Sequence, residues 1–208
     1  MNRGIRECLC DLLTEISSHK AVRRLEENTM NNELTDLNPF KHTPTLDIST
    51  WYKGILSTQL ATDENTGGAF DLVLANMKRG TEPPPHVHTK EHEFFYVLDG
   101  SLDAYVDDKV FQVGPGECVF LPVRRPHAFL IRSPEIRMLT LITPGGFMKV
   151  VAPMATPAEK MEIPSDSVTY ATANLEETMK IFNKHGLRFL SPEEIARQMP
   201  AFPTRLAA

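Results

Sequence analysis

Three histidines and one glutamate are the residues whose types and spacing could do chemistry in this chain. His86 and His88 lie two residues apart. On a β-strand this spacing puts both imidazoles on the same face, roughly 7 Å apart along the chain. Glu93 follows five residues after His88, beyond a short turn at 89–92. In an adjacent antiparallel strand its carboxylate would face the same cavity, and His127, on a later strand, would close the site.

Three imidazoles and one carboxylate are suited to a single divalent transition metal. Such a set binds Fe, Mn, Ni, Co, Cu or Zn and leaves positions for water, substrate or dioxygen. The same ligands serve several metals, so the sequence does not identify the ion. The opposing interpretation is a barrel with hydrogen-bonded core histidines. It is less favourable, because four inward polar groups without a metal would be costly to bury.

The elements that must position these residues are predicted to be short strands. From Ile48 onward, runs of β-forming residues alternate with Gly, Pro or Asp clusters. This rhythm is typical of a sandwich or barrel. The predicted strands are Phe70–Met77, Phe94–Leu98, Leu102–Val106, Val110–Val113, Cys118–Leu121, Ala128–Ile131 and Arg137–Ile142.

Helices are predicted before and after the strands in the sequence. Apolar residues recur at helical spacing over residues 5–27. Asn174 and Gly186 would cap one later helix, and Ser191 with Glu194 would begin another. We therefore expect an N-terminal helical extension and arm at 1–47, a barrel at 48–152 and a C-terminal helical extension packed on the barrel at 153–208.

The histidine segment resembles the cupin superfamily. Gly80, five residues, His86-Val-His88, four residues, Glu93, six residues and Gly100 match the first cupin motif at every spacing. A lone pair of histidines two apart would be weak, whereas the complete motif is specific.

A second cupin motif is present with two departures. Gly116, Pro122 and His127 stand at its positions. The usual glycine two after the proline is Arg124, and the usual asparagine four after the histidine is Ile131. Neither departure falls on a metal ligand.

Finer resemblance points to single-domain cupins similar to quercetin 2,3-dioxygenase. It rests on the segments 66–70, 83–85 and 143–147, and the whole resemblance covers residues 67–147. It implies an all-β fold, a cupin jelly-roll (double-stranded β-helix) barrel. In cupins the metal is bound at the positions held here by His86, His88, Glu93 and His127.

The resemblance also implies a function, a metal-dependent dioxygenase that cleaves a small aromatic or enolic, flavonol-like substrate with O2. The substrate hydroxyl would bind the metal and Glu93 would accept its proton, so that one residue is both ligand and catalytic base. Four apolar residues lie an even number of positions from a ligand on the same strand, so they would face the same side and line the substrate pocket: Phe95, Val97, Phe129 and Ile131. Simple core is an equally good interpretation of each.

Two other functions stay open. The same metal could run an isomerase, cyclase or lyase reaction on a carbonyl small molecule, or the chain could be a non-enzymatic ligand-binding cupin. Glu91, three residues after His88, competes with Glu93 as the fourth ligand, but its spacing lies outside the cupin pattern.

Composition narrows the partners and the compartment. The net charge is −5, with both signs spread along 208 residues, so we expect no nucleic acid. No apolar run has the length of a membrane span, and acids interrupt the place where a signal peptide would have its apolar stretch. Three cysteines do not make a disulfide framework, and Cys118 is predicted to be a buried small hydrophobe. We predict a cytoplasmic protein.

Because cupins commonly pair, we also predict a homodimer, in which the arm at 31–50 covers an edge strand.

Overall fold

The computed structural model describes residues 37–165 and 168–203. The predicted helix at 5–27 lies outside the described residues. The chain divides into two units, and the second begins at Lys41. Of the first unit only residues 37–40 are described, and they form neither helix nor strand. The second unit contains all the described strands and helices.

Twelve antiparallel strands are described in the second unit. They are β1 (Ser49–Tyr52), β2 (Ile55–Ala61), β3 (Asp71–Lys78), β4 (His86–His88), β5 (His92–Asp99), β6 (Leu102–Val106), β7 (Lys109–Val113), β8 (Cys118–Leu121), β9 (His127–Ile131), β10 (Glu135–Thr143), β11 (Thr156–Pro157) and β12 (Leu187–Phe189). All seven predicted strands are present, with ends within two residues of the prediction. The strands β1, β2, β11 and β12 were not among the predicted strands, whereas β4 is the expected histidine strand.

The strands form two facing sheets, so the expected all-β jelly roll is confirmed. The seven-stranded sheet has the order β11-β1-β2-β3-β10-β5-β8, and the five-stranded sheet has the order β12-β4-β9-β6-β7. The core lies between them, where alternate side chains point inward. Its fully buried members include Val97, Leu102 and Leu121.

The expected arrangement of Glu93 on a strand next to the histidine strand is wrong. β4 and β5 follow each other in sequence but lie in different sheets. The connection between them is tied to the C-terminal part of the chain, because the Thr89 amide donates to the Gly186 carbonyl at 2.7 Å. The chain therefore crosses from one sheet to the other instead of turning back as a hairpin. The actual neighbours of β4 are β9 and β12, and His86 is paired with His127.

Four α-helices are described, α1 (Asp63–Thr66), α2 (Phe147–Val151), α3 (Leu175–His185) and α4 (Pro192–Gln198), together with two 3-10 helices at Leu46–Ile48 and Ala152–Met154. The predicted caps are found, since the Asn174 side chain accepts from the Glu176 amide and Ser191 forms a capping box with Glu194. Gly186 ends α3 with φ 96°, a left-handed conformation that favours glycine. None of the described helices is long and apolar enough to cross a membrane. The domain boundaries after residues 47 and 152 stay predictions.

A buried carboxylate fixes α2 against the barrel. Asp71 is fully buried and accepts the backbone N–H groups of Gly146 at 2.9 Å and Met148 at 3.1 Å. The Gly145 amide donates to the Gly68 carbonyl at 2.9 Å, so the two glycine-containing segments 66–70 and 143–147 lie against each other. This contact places the first turn of α2 at one end of the barrel.

Cys118 is exposed, which corrects the expectation that it is buried. Side chains alternate along β8, and Val119 and Leu121 take the inward positions. Cys118 is therefore left on the outer face of the sheet.

Candidate metal centre

The four predicted ligands come from both sheets. His86 and His88 lie on β4 and His127 lies on the neighbouring β9, all in the five-stranded sheet. Glu93 lies on β5 of the seven-stranded sheet and reaches the histidines across the barrel interior. One potential ligand atom from each residue lies within 4.8 Å of the other three. The structure thus brings all four side chains to one point.

Short distances join these groups. His127 Nε2 lies 3.1 Å from His86 Nε2 and 3.1 Å from Glu93 Oε2. His88 Nε2 lies 3.8 Å from the same carboxylate oxygen. All four residues are at least nine-tenths buried. Groups this close and this far from water need a cation or hydrogen bonds between them.

The outer nitrogen of each imidazole has a hydrogen-bond acceptor. His86 Nδ1 lies 2.8 Å from the Pro84 carbonyl, and His127 Nδ1 lies 3.0 Å from the Arg125 carbonyl. A carbonyl can only accept, so each Nδ1 carries a proton and each Nε2 of the neutral ring carries a lone pair. His88 Nδ1 lies 3.1 Å from Glu91 Oε2, which favours the same tautomer. The three Nε2 lone pairs are therefore directed to one point, as in histidine metal sites.

Charge at the site follows from burial and from these contacts. Burial lowers the pKa of His86 to about 3, and the charges of His127 and His88 act in the same direction. Burial also opposes charge on His88, but Glu93 and Glu91 together raise its pKa above the ordinary value. For Glu93, burial raises the pKa, yet the charge of His88 and the close contact with His127 outweigh this effect and bring the pKa to about 2. Glu93 is thus an anion at neutral pH.

These groups fit a divalent metal. Three imidazole lone pairs and one carboxylate anion are the ligand types that transition metals prefer, and the identity of the ion does not follow from them. Two neutral Nε2 atoms at 3.1 Å repel each other unless a cation lies nearby. The buried cluster is compatible with a divalent metal site, as in cupins.

Glu91 has a different place from Glu93. It lies outside the group of four and contacts the far nitrogen of His88. A carboxylate there orients the ring and makes it a better ligand. We expect Glu91→Gln to weaken metal affinity by about 10- to 100-fold while the stoichiometry at saturating metal is unchanged. Competition with a metallochromic chelator measures this change, and an affinity equal to wild type would contradict the orienting role.

Arg124 replaces the usual glycine of the second cupin motif but adopts the backbone conformation that favours glycine. Arg124 has φ 63°, in the left-handed region, and its amide donates to the His88 carbonyl at 2.7 Å. A residue with a side chain therefore occupies a left-handed position of this turn, a conformation that such residues disfavour. The second departure, Ile131, is a fully buried core residue.

We expect Arg124→Gly to raise the free energy of unfolding by about 1 kcal/mol, because a side chain in the left-handed region costs about that much. Arg124→Ala is the control, since it removes the side chain but keeps the Cβ that causes the strain. Urea denaturation compares the three proteins. A glycine variant no more stable than the alanine variant would contradict the backbone strain at this position.

An apolar cavity of about 130 Å³ lies beside the cluster. His86, His88 and Glu93 form part of its wall. Of the four predicted pocket residues, the structure places Phe95 and Phe129 in the wall. Val97 and Ile131 are instead packed in the barrel core. Both side chains point to the same side of their strands as the ligands. They lie further along those strands, however, away from the end of the barrel that carries the His/Glu cluster.

Five aromatic residues of this wall were missed by sequence reasoning. Phe147 contacts the His88 ring at a centroid distance of 4.8 Å, and Phe189 contacts the His86 ring at 6.2 Å. Phe182 joins these two phenylalanines at 5.9 and 5.8 Å. The other two are Tyr52 and Tyr170. For Phe147, the glycine pair directly before it was a partial signal in the sequence. No local pattern distinguishes the other four aromatic residues from ordinary core residues.

Parts of this chain are similar to known proteins. Residues 73–143 match the cupin domain. The chain is 28% identical over 109 residues to quercetin 2,3-dioxygenase from Bacillus subtilis (strain 168), a match that covers 52% of this chain and 32% of that protein. It is 29% identical over 93 residues to quercetin 2,3-dioxygenase from Aspergillus japonicus, covering 41% and 27%. This chain thus spans about a third or less of these curated relatives. The solved structure of KdgF from Halomonas sp. has 19% identity and a TM-score of 0.42, over 47% of this chain and 87% of that one.

The barrel and its cluster define the class of protein. Two antiparallel sheets with a buried His/Glu cluster between them, and a cupin match over residues 73–143, identify the barrel as a cupin jelly roll. The chain itself resembles quercetin 2,3-dioxygenase.

Proposed function

We propose that this chain is a metal-dependent dioxygenase that cleaves a small aromatic or enolic, flavonol-like substrate with O2. The observation that carries the proposal is the position of the His/Glu cluster, which forms one wall of an apolar cavity. A cavity of this kind binds an apolar ring and excludes water, while the cluster holds the polar group of the same ligand. The resemblance to two quercetin 2,3-dioxygenases supports the reaction type.

His86, His88, Glu93 and His127 hold the metal in this proposal. A divalent ion bound there would act as a Lewis acid and lower the pKa of a substrate hydroxyl. The backbone carbonyls behind His86 and His127 keep the imidazoles in the ligating tautomer.

Glu93 is the catalytic base. It is an anion at neutral pH and lies at the cavity wall, so its carboxylate accepts the proton of the substrate hydroxyl and becomes a carboxylic acid. The substrate is left as an oxyanion with a more electron-rich ring. Dioxygen is the oxidant, and both of its atoms enter the product as the ring opens. Phe95 and Phe129 keep water from the reacting oxyanion.

Oxygen uptake tests the proposal. The full-length protein is first analysed for its native metal and then supplied with a panel of flavonols, other enols and single-ring phenols under air. We expect consumption of one O2 per substrate cleaved. Turnover of the same substrates under strict anaerobiosis would contradict the dioxygenase and favour a metal-dependent isomerase, cyclase or lyase acting on a carbonyl compound.

A cytoplasmic homodimer remains a proposal beside the reaction. Edge strands present unpaired backbone groups that a second copy can cover. Sedimentation at working concentration measures the assembly, and a monodisperse monomer would refute it.

A further inference from the structure

A pair of tyrosine hydroxyls lies in the cavity wall. Tyr52 belongs to β1, and Tyr170 lies in the segment before α3. Their hydroxyl oxygens are 3.2 Å apart, their ring centroids are 5.9 Å apart, and both residues are more than nine-tenths buried. Both line the cavity that the metal cluster also lines. The pair brings a polar group into walls that are otherwise largely apolar.

The hydrogen bond between the two tyrosine hydroxyls leaves one of their protons without an acceptor. Two phenols carry two O–H protons, and the bond between them uses one. Within residues 37–165 and 168–203, neither hydroxyl has another hydrogen-bond partner. Burial and the neighbouring Tyr52 raise the pKa of Tyr170 well above its usual value, so it stays protonated. One donor is therefore free for an acceptor inside the cavity, where an unmade hydrogen bond is costly.

The tyrosine pair and the metal cluster are joined by one aromatic ring. Phe189 contacts His86 at a centroid distance of 6.2 Å on one side and Tyr170 at 6.1 Å on the other. Glu93 and Tyr170 also line the same cavity. A small molecule in the cavity can therefore meet both polar ends.

The size of the cavity restricts that molecule. Its volume of about 130 Å³ is close to the roughly 150 Å³ of an engineered protein cavity that binds benzene. One aromatic or enolic ring fits this space, whereas a three-ring flavonol is larger than it.

We propose that Tyr52 and Tyr170 bind a second oxygen of the substrate, and that the substrate is a single-ring phenol or enol whose first oxygen lies at the metal cluster. The inference rests on the proposed metal site and narrows its substrate class, but it does not depend on the use of O2. Tyr52 and Tyr170 act here as binding residues. An oxygen at each end of the ring would fix the orientation of the substrate in the cavity.

Matched probes test the tyrosine role. Phenol, resorcinol and hydroquinone share one ring and differ in a second hydroxyl, and their affinities for the full-length protein are measured by calorimetry with and without metal. We expect resorcinol or hydroquinone to bind the metal-loaded wild type roughly tenfold more tightly than phenol, the size expected of one buried hydrogen bond. In the Tyr52→Phe/Tyr170→Phe variant we expect this ratio to fall to about one, with unchanged metal content.

Tyr105→Phe is the matched control. Tyr105 is also buried and its hydroxyl also makes one hydrogen bond, from Arg132 at 3.0 Å, but it lies outside the cavity. The control should keep the wild-type ratio. An unchanged ratio in the double variant would overturn the tyrosine role, and so would diols that bind no more tightly than phenol.

Two further outcomes separate this inference from the proposed function. Quercetin that binds as tightly as the single-ring probes would overturn the size restriction. A diol preference that depends on the tyrosines in a protein that consumes no O2 would support the inference and remove only the dioxygenase. Failure to bind metal would remove the proposed function and, with it, the placement of the first oxygen.

Discussion

Replacing His86 and His88 together by alanine is expected to abolish metal binding and, with it, turnover. The change removes two of the three imidazoles whose Nε2 atoms meet Glu93. Loss of an orienting neighbour alone weakens such sites by about 10- to 100-fold, so loss of two direct ligands should exceed that. Metal analysis after dialysis, together with calorimetric titration, measures the change.

Thermal unfolding adds a readout that does not depend on a known substrate. A ligand that binds only the folded state at 100 times its dissociation constant stabilises it by about 2.7 kcal/mol. For a chain of this length, that should raise Tm by roughly 5–10 °C in wild type. The double variant should show no rise when metal is added.

His185→Ala is the matched control, because this histidine is exposed at the end of α3 and does not belong to the group of four. It should keep both the metal and the thermal shift. A double variant that loses its metal but keeps full biological activity would contradict the enzyme and favour a non-enzymatic ligand-binding cupin.

Glu93→Gln is expected to lower kcat by about 10²- to 10⁴-fold at saturating metal, the usual contribution of a general base. The amide keeps the shape of the side chain and an oxygen that can face the histidines, but it cannot accept the proton of the substrate. Metal affinity should also fall, because a neutral ligand replaces an anion. Turnover is therefore compared at equal metal occupancy, measured in the same samples.

The contrast with Glu91→Gln distinguishes the two carboxylates. Glu91 contacts only the far side of His88, so its variant should recover most of the wild-type kcat once metal is saturating. Glu93→Gln should not recover. Equal kcat values for the two variants at full occupancy would show that Glu93 is a ligand without a role in proton transfer.

The local part of the site could be predicted because strands have a two-residue period. His86 and His88 had to share a face, and the turn residues on each side delimited the strands. The spacing of the first cupin motif selected Glu93 over Glu91, and the structure places Glu93 in the cluster and Glu91 behind His88.

Other features depended on contacts between distant segments. The β4–β5 connection looks like a hairpin in sequence, and only the pairing of β4 with β9 and β12 shows that it crosses between sheets. Parity correctly indicated that Phe95 and Val97 face inward, but it carries no information on how far along the barrel axis each residue lies.

The sequence by itself determined the kinds of ligand at the candidate metal centre and the succession of strands that carries them, because both follow from short-range spacing. Only the tertiary structure decided that Glu93 approaches from the opposite sheet and that Tyr170, Phe182 and Phe189 close the cavity. These three aromatic residues lie more than 40 positions beyond His127. Their place in the wall depends on β12 pairing with the histidine strand, a long-range contact that no local pattern encodes.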